Sequence, residues 1–153
     1  MSRAEPDGDG RSYVPGDPEL RSILGEARTI AVVGLSSDPE RYSFEVASYL
    51  QEKGYRILPV NPNEAEVLGE KAYPSLLAIS PSIPIDAVDV FRRAEDTPAV
   101  AREAVKVGAK VLWLQNDIVN DEARRIAEEG GLEVVMGVCM MSTHKRLGVE
   151  EVS

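Results

Sequence analysis

Five apolar runs of strand length recur along the chain, and between them apolar residues return at every third or fourth position. The runs are "TIAVVGL", "YRILPV", "IDAVDVF", "AKVLWL" and "LEVVMG". Their β-branched content and lack of polar alternation predict strands buried on both faces. After the first run, Tyr42, Val46, Ala47 and Leu50 share one face of a helix that Gly54 ends. Thr97-Pro98 reads as a cap and first-turn proline for "AVAREAVKV", with Gly108 as its stop. Asn120 caps "DEARRIAEE" ahead of Gly130-Gly131. Short helices are predicted over "PELRSILGEA" and "CMMSTHKRL", with a small strand or loop around 67–73 and another short helix from Ser75.

Strands alternating with helices of about ten residues imply right-handed crossovers and a parallel sheet covered on both sides. No internal repeat or linker divides the chain. The predicted fold is therefore one α/β domain, a Rossmann-like doubly wound sheet of five parallel strands, with the runs in the order 3-2-1-4-5. The domain is expected over residues 18–153, after a mobile tail over residues 1–17, which are rich in Gly, Pro and Asp.

Composition narrows the ligands. A chain of 153 residues needs no disulfide or metal staple. Its one cysteine, Cys139, forms no internal bridge and fits a reducing compartment. No apolar run approaches the ~18 residues of a membrane span. The first residues lack the apolar core of a signal peptide. A cytoplasmic location without membrane contact is expected. The net charge of −9 disfavours nucleic acid, which needs a basic stripe. Any anionic ligand must be held by local arginines and helix N-termini, which makes arginines in turns informative.

In such folds ligands bind beyond the carboxyl ends of the strands. The first strand is followed by Gly34, Leu35, Ser36, Ser37, Asp38, Pro39, Glu40, Arg41, Tyr42 and Ser43. Gly34 permits a tight turn and a close approach. Ser36, Ser37 and Ser43 bring hydroxyls, and the helix start, at Pro39 or Ser43, brings free N–H groups and the positive dipole end. Arg41 adds a planar fork able to hold a phosphate with two bonds. A charge-assisted bond of that kind is worth about 1.5–3 kcal/mol, against about 0.3–1 kcal/mol for the dipole. Arg41 is thus the larger single contribution, unless this is an ordinary loop with a solvated side chain.

After the second strand, Asn61 stands roughly where a dinucleotide fold keeps the acid that grips a ribose. It carries no carboxylate, Glu64 lies past the turn, and NAD is disfavoured; a plain Asn61-Pro62-Asn63 turn is the other reading. Arg92 and Arg93 follow the third strand and offer one or two cations to a phosphate, or form a surface charge pair. Trp113 reads as core, and Gln115 at the fourth strand's tip as a ligand contact. No cysteine, histidine or carboxylate pattern gives a metal site. Nothing orients Cys139 and His144 as a nucleophile–base pair.

These segments together resemble the stand-alone CoA-binding domain proteins, which are similar to the amino-terminal CoA-binding domain of the succinyl-CoA synthetase alpha chain. The resemblance runs from about Leu20 to Gly148 and rests on "GLS", Pro39, Arg41 and Ser43, "PVNP", "FR" and "WLQ", in that order at the strand tips. It implies coenzyme A or an acyl-CoA as ligand. Gly34, Ser36, Ser37, Arg41 and Ser43 would face the diphosphate, and Asn61 and Pro62 the nucleotide part. Phe91, Arg92 and Arg93 would border the adenine and 3′-phosphate, with Gln115 on the far wall. The synthetase's phosphorylated histidine belongs to a later domain, and His144 does not match it. The expected function is therefore binding of CoA without an evident catalytic centre. A small NAD(P)-dependent oxidoreductase, an acyl-CoA enzyme subunit that needs a partner, and an assembly scaffold are the competing readings. A protein partner or homo-oligomer stays open.

Overall fold

The computed structural model describes residues 11–151. Helix α1 (Asp17–Glu26) leads into β1 (Thr29–Val33), in which every residue is buried. Helix α2 (Tyr42–Glu52) returns the chain to β2 (Arg56–Val60). A small antiparallel hairpin, β3 (Glu66–Val67) and β4 (Glu70–Lys71), and one 3-10 turn at Leu76–Ala78 occupy the segment before β5 (Ala87–Val90). The helix expected from Ser75 is no longer than that turn. Then follow α3 (Thr97–Lys106), β6 (Val111–Leu114), α4 (Asp121–Glu129), β7 (Glu133–Met136) and α5 (Met140–Leu147). Asn120 caps α4 as predicted, its side chain accepting from the Ala123 amide at 2.9 Å.

The five long strands form one parallel sheet in the order β2-β1-β5-β6-β7. The doubly wound parallel fold is as expected, but the order is not. Counted by run it is 2-1-3-4-5 and not 3-2-1-4-5. The third strand lies inside, against β1, and β2 is the margin. Pro59 gives the physical reason. Its carbonyl points away from β1 and accepts from Tyr73 N–H at 2.9 Å, so its absent N–H belongs to that outer side as well. A full fifth strand there would lack a ladder donor, and proline is confined to such edges.

Successive residues of the inner strands face opposite layers. Ile30, Val32 and Trp113 pack with Leu20, Leu24, Val46, Leu50 and Met140 of α1, α2 and α5. Ala31, Val33, Val88, Leu112 and Leu114 pack with Ala101, Ala104, Ala123 and Ala127 of α3 and α4. Trp113 is fully buried, its indole N–H donating to the Val138 carbonyl at 2.9 Å.

Of the tail expected over residues 1–17, the first ten lie outside the described residues. The remainder is held in place. Tyr13 exchanges two backbone bonds with Met136 of β7, at 2.9 and 2.8 Å. Its ring carries the Arg124 guanidinium 3.6 Å above it. Asp17 already belongs to α1 and pairs with Arg146 at 3.2 Å.

Candidate functional site

Gly34 leaves β1 with φ at +88°. A Cβ at this position would collide with the carbonyl oxygen of Phe91, so the turn both requires the left-handed region and lets the tips of β1 and β5 touch. The chain then crosses the strand ends as a loop tied to itself. Ser43 Oγ accepts from Ser36 N–H at 3.1 Å, and Ser36 Oγ accepts from Asp38 N–H at 3.0 Å. Asp38 Oδ1 accepts from Glu40 N–H at 2.9 Å. The Glu64 carboxylate accepts from Ser37 N–H at 2.9 Å. The amides of Ser36, Ser37, Asp38 and Glu40 in this loop are thus already engaged within the protein.

The open donors lie one turn further on. Helix α2 begins at Tyr42, with Arg41 in the capping position at φ −83° and ψ 143°. The Phe44 and Glu45 amides both bond to the Arg41 carbonyl, at 3.1 and 3.2 Å. The Tyr42 and Ser43 amides have no partner among the described residues, as the first N–H groups of a helix do not. The Arg41 side chain is exposed and has no hydrogen bond or ion pair among the described residues. Guanidinium and helix N-terminus therefore stand at one end of α2, a combination suited to an anion.

Asn61 is a strut between two loops. Its amide donates to the Leu35 carbonyl at 3.0 Å, and its Oδ1 accepts from Asn63 N–H at 2.9 Å. Pro62 is exposed beside it. Phe91 meets Tyr42 edge to face, with centroids 6.3 Å apart at 73°. The two arginines after β5 part company. Arg93 is 75% exposed and pairs with Glu95 at 3.5 Å and Asp96 at 3.3 Å. Arg92 is half-buried without a partner among the described residues. It lines a cavity of about 220 Å³ with Val33, Val60, Pro74, Ser75, Asp96, Ala99, Val100 and Glu103.

Gln115 departs from its expected place. It is 1% exposed and presents no wall to the crevice. Its amide instead donates to the carboxyl of Asp89, which is wholly buried in β5. Asp89 Oδ2 and Gln115 Oε1 are left without partners. Burial pushes the Asp89 carboxyl up to about 7, against the opposing effect of the Gln115 bond.

Tyr42 departs from its expected core position too. It is 41% exposed, and its hydroxyl donates to Cys139 Sγ at 2.7 Å. Burial and then that bond push the phenol up to about 12, so it remains a neutral donor. His144 is buried against Tyr49, with Nδ1 2.8 Å from the phenol oxygen. Burial and then the charge of Lys53 hold its imidazole below the ordinary range. Cys139 and His144 each bond to a different tyrosine and not to each other. Among the described residues no group of three or more His, Cys, Asp or Glu could hold a metal ion, and no helix is long and apolar enough to cross a membrane.

Fold and strand ends together define a Rossmann-like domain with an exposed arginine, and two amides open among the described residues, at the start of α2. Residues 28–145 match the CoA binding domain family, and the chain belongs to it. This bears out the resemblance read at the strand tips. An uncharacterised Bacillus subtilis protein, YneT, is 45% identical over 130 residues, which are 85% of this chain and 95% of that one. The acetate–CoA ligase (ADP-forming) II subunit alpha of Pyrococcus furiosus is 30% identical over 131 residues, 78% of this chain but only 29% of the subunit. A solved structure of a hypothetical protein from Pyrococcus horikoshii is similar at a TM-score of 0.83 and 43% identity, covering 96% of this chain and 99% of that one.

Proposed function

We propose that the chain binds coenzyme A or an acyl-CoA by its phosphates at the start of α2, and that it holds this ligand without performing chemistry of its own. One observation carries the reading. In a chain of net charge −9, the Arg41 guanidinium and the adjoining amides of Tyr42 and Ser43 have no partner among the described residues. An arginine kept free at a helix N-terminus is chemically matched to a diphosphate. The family supports CoA as the compound that carries it. The Pyrococcus furiosus relative is named as a subunit of a CoA ligase, so a partner protein that supplies the reaction belongs to this reading.

Isothermal titration tests it. Arg41→Ala should weaken CoA binding about tenfold or more, the equivalent of at least ~1.4 kcal/mol. An unchanged affinity removes Arg41 from the site. Thermal shift with CoA, dephospho-CoA, NAD and NADP should show the largest stabilisation with CoA, and a preference for NAD would overturn the assignment.

A further inference from the structure

Helices α2 and α5 lie side by side, joined by two tyrosine hydroxyls. Tyr42, the first residue of α2, donates to Cys139 Sγ at 2.7 Å just ahead of α5. Tyr49, about two turns further along α2, meets His144 Nδ1 of α5 at 2.8 Å. The partners advance together along both helices, so the two N-termini lie at the same end. His144 is 2% exposed, and its Nε2 has no hydrogen-bond partner. A neutral ring can place its bare nitrogen there. A protonated ring carries hydrogen on both nitrogens and leaves one N–H buried and unpaired.

The surroundings offer no counterweight to a charge on this ring. From α2 come the Tyr49 phenol and Lys53; Lys145 of α5 joins Lys53 at the Tyr49 ring, their Nζ atoms 5.1 and 5.4 Å from its centre. Tyr55, just before β2, stands edge to face against the imidazole with centroids 5.9 Å apart, and Arg28 adds a positive charge beside that phenol. Burial pushes both phenols up, Tyr55 to about 12, so neither supplies a negative charge. Helix α1 reaches the cluster through the Leu24 carbonyl, which accepts from Tyr55, while its Asp17 pairs with Arg146. No carboxylate bonds to His144 among the described residues. Helix α5 supplies no strand to the sheet, so it can open locally while the sheet stays intact. We propose that α5 is an acid-released latch on α2 with His144 as its trigger: uptake of a proton unseats the helix, and opening uncovers Cys139 and frees Tyr42 at the start of α2. Burial and then Lys53 hold the folded-state imidazole below its ordinary range. The latch is therefore fully closed above pH ~6.5 and weakens as pH falls toward the folded-state value. The inference stands on the α2–α5 seam and does not require CoA.

The test reads the thiol in the intact chain, where Cys139 is buried. Its rate of labelling by 4,4′-dithiodipyridine is measured from pH ~7.5 to ~5.5 and divided by the rate for the same chain unfolded in urea, which removes the thiol's own pH dependence. The quotient should rise several-fold as pH falls, toward the roughly tenfold that one proton taken up only on opening would give. Far-ultraviolet circular dichroism should hold steady over the same range, because the opening is local. His144→Gln, which keeps a polar partner for Tyr49 but takes up no proton, should leave the quotient flat. A flat quotient in the parent, a rise that survives His144→Gln, or a collapse of the circular dichroism along with the rise overturns the latch. Should His144→Gln fail to fold, Lys53→Gln decides. With that charge gone the closed form tolerates the proton better, so the rise should shrink, and an undiminished rise overturns the assignment.

Discussion

Asp89 lies in the central strand β5 with no exposed surface, and replacing it by Asn isolates the effect of its charge. The two side chains have the same shape, and an amide at position 89 can both accept from Gln115 and donate to the oxygen of Gln115 that now has no partner. The carboxyl titrates near 7 in the folded chain against 3.8 for the free group. Folding therefore favours the neutral form. The contribution of Asp89 to stability is intact below pH ~4, erodes as pH rises, and levels off above pH ~7. About three pH units at 1.36 kcal/mol each give a loss of ~4 kcal/mol at most. Urea unfolding of the parent and Asp89→Asn at each pH from 4 to 8 reads this directly, because other titrating groups cancel in the difference. The variant should gain on the parent by ~1 kcal/mol per pH unit and stop gaining near neutrality. A difference that stays flat across the series would refute a buried, proton-bearing carboxyl at this position.

Two further outcomes bear on the loop. Gly34→Ala should lower stability by about 3 kcal/mol or more, combining a left-handed residue with a clash against the Phe91 carbonyl; a melting temperature within one degree of the parent would contradict the close approach of the two strand tips. Glu64→Ala should tighten CoA binding about fivefold, on the order of 1 kcal/mol, because it frees the Ser37 amide for a phosphate oxygen. Weaker binding by titration would instead make Glu64 a ligand contact.

The strands and helices were legible in the chain because double burial leaves apolar runs with no alternation, and Gly54, Gly108 and Asn120 punctuate them. The predicted strand order, 3-2-1-4-5, put the third strand outside the second, although Pro59 inside "YRILPV" already marked a margin. Gln115 was read as a ligand contact because it follows a strand. Counting by twos puts it on the layer of Trp113, and Asp89, the second aspartate of the apolar run "IDAVDVF", needed a buried partner that only the fold could bring to it. The turn residues Gly34 and Arg41 were visible as types, whereas the internal bonds that occupy the Ser36 and Ser37 amides depend on Ser43 and Glu64 arriving from elsewhere. Of the pair Arg92 and Arg93, nothing in the sequence said which would be engaged by neighbouring acids. The chain around 95–96 decides it for Arg93.

Each outer margin of the sheet carries its own stopper. At one side Tyr73 takes up the outward groups of Pro59 and Asn61; at the other Tyr13 takes up those of Met136. At each margin the groups near the strand's carboxyl end are thus withheld from the pairing by which sheets recruit strands from other molecules. Trimming the chain past Tyr13 would unseal the β7 side alone, so self-association on concentration should begin there and proceed in one direction. A purification tag is better tolerated ahead of that tyrosine than in place of it.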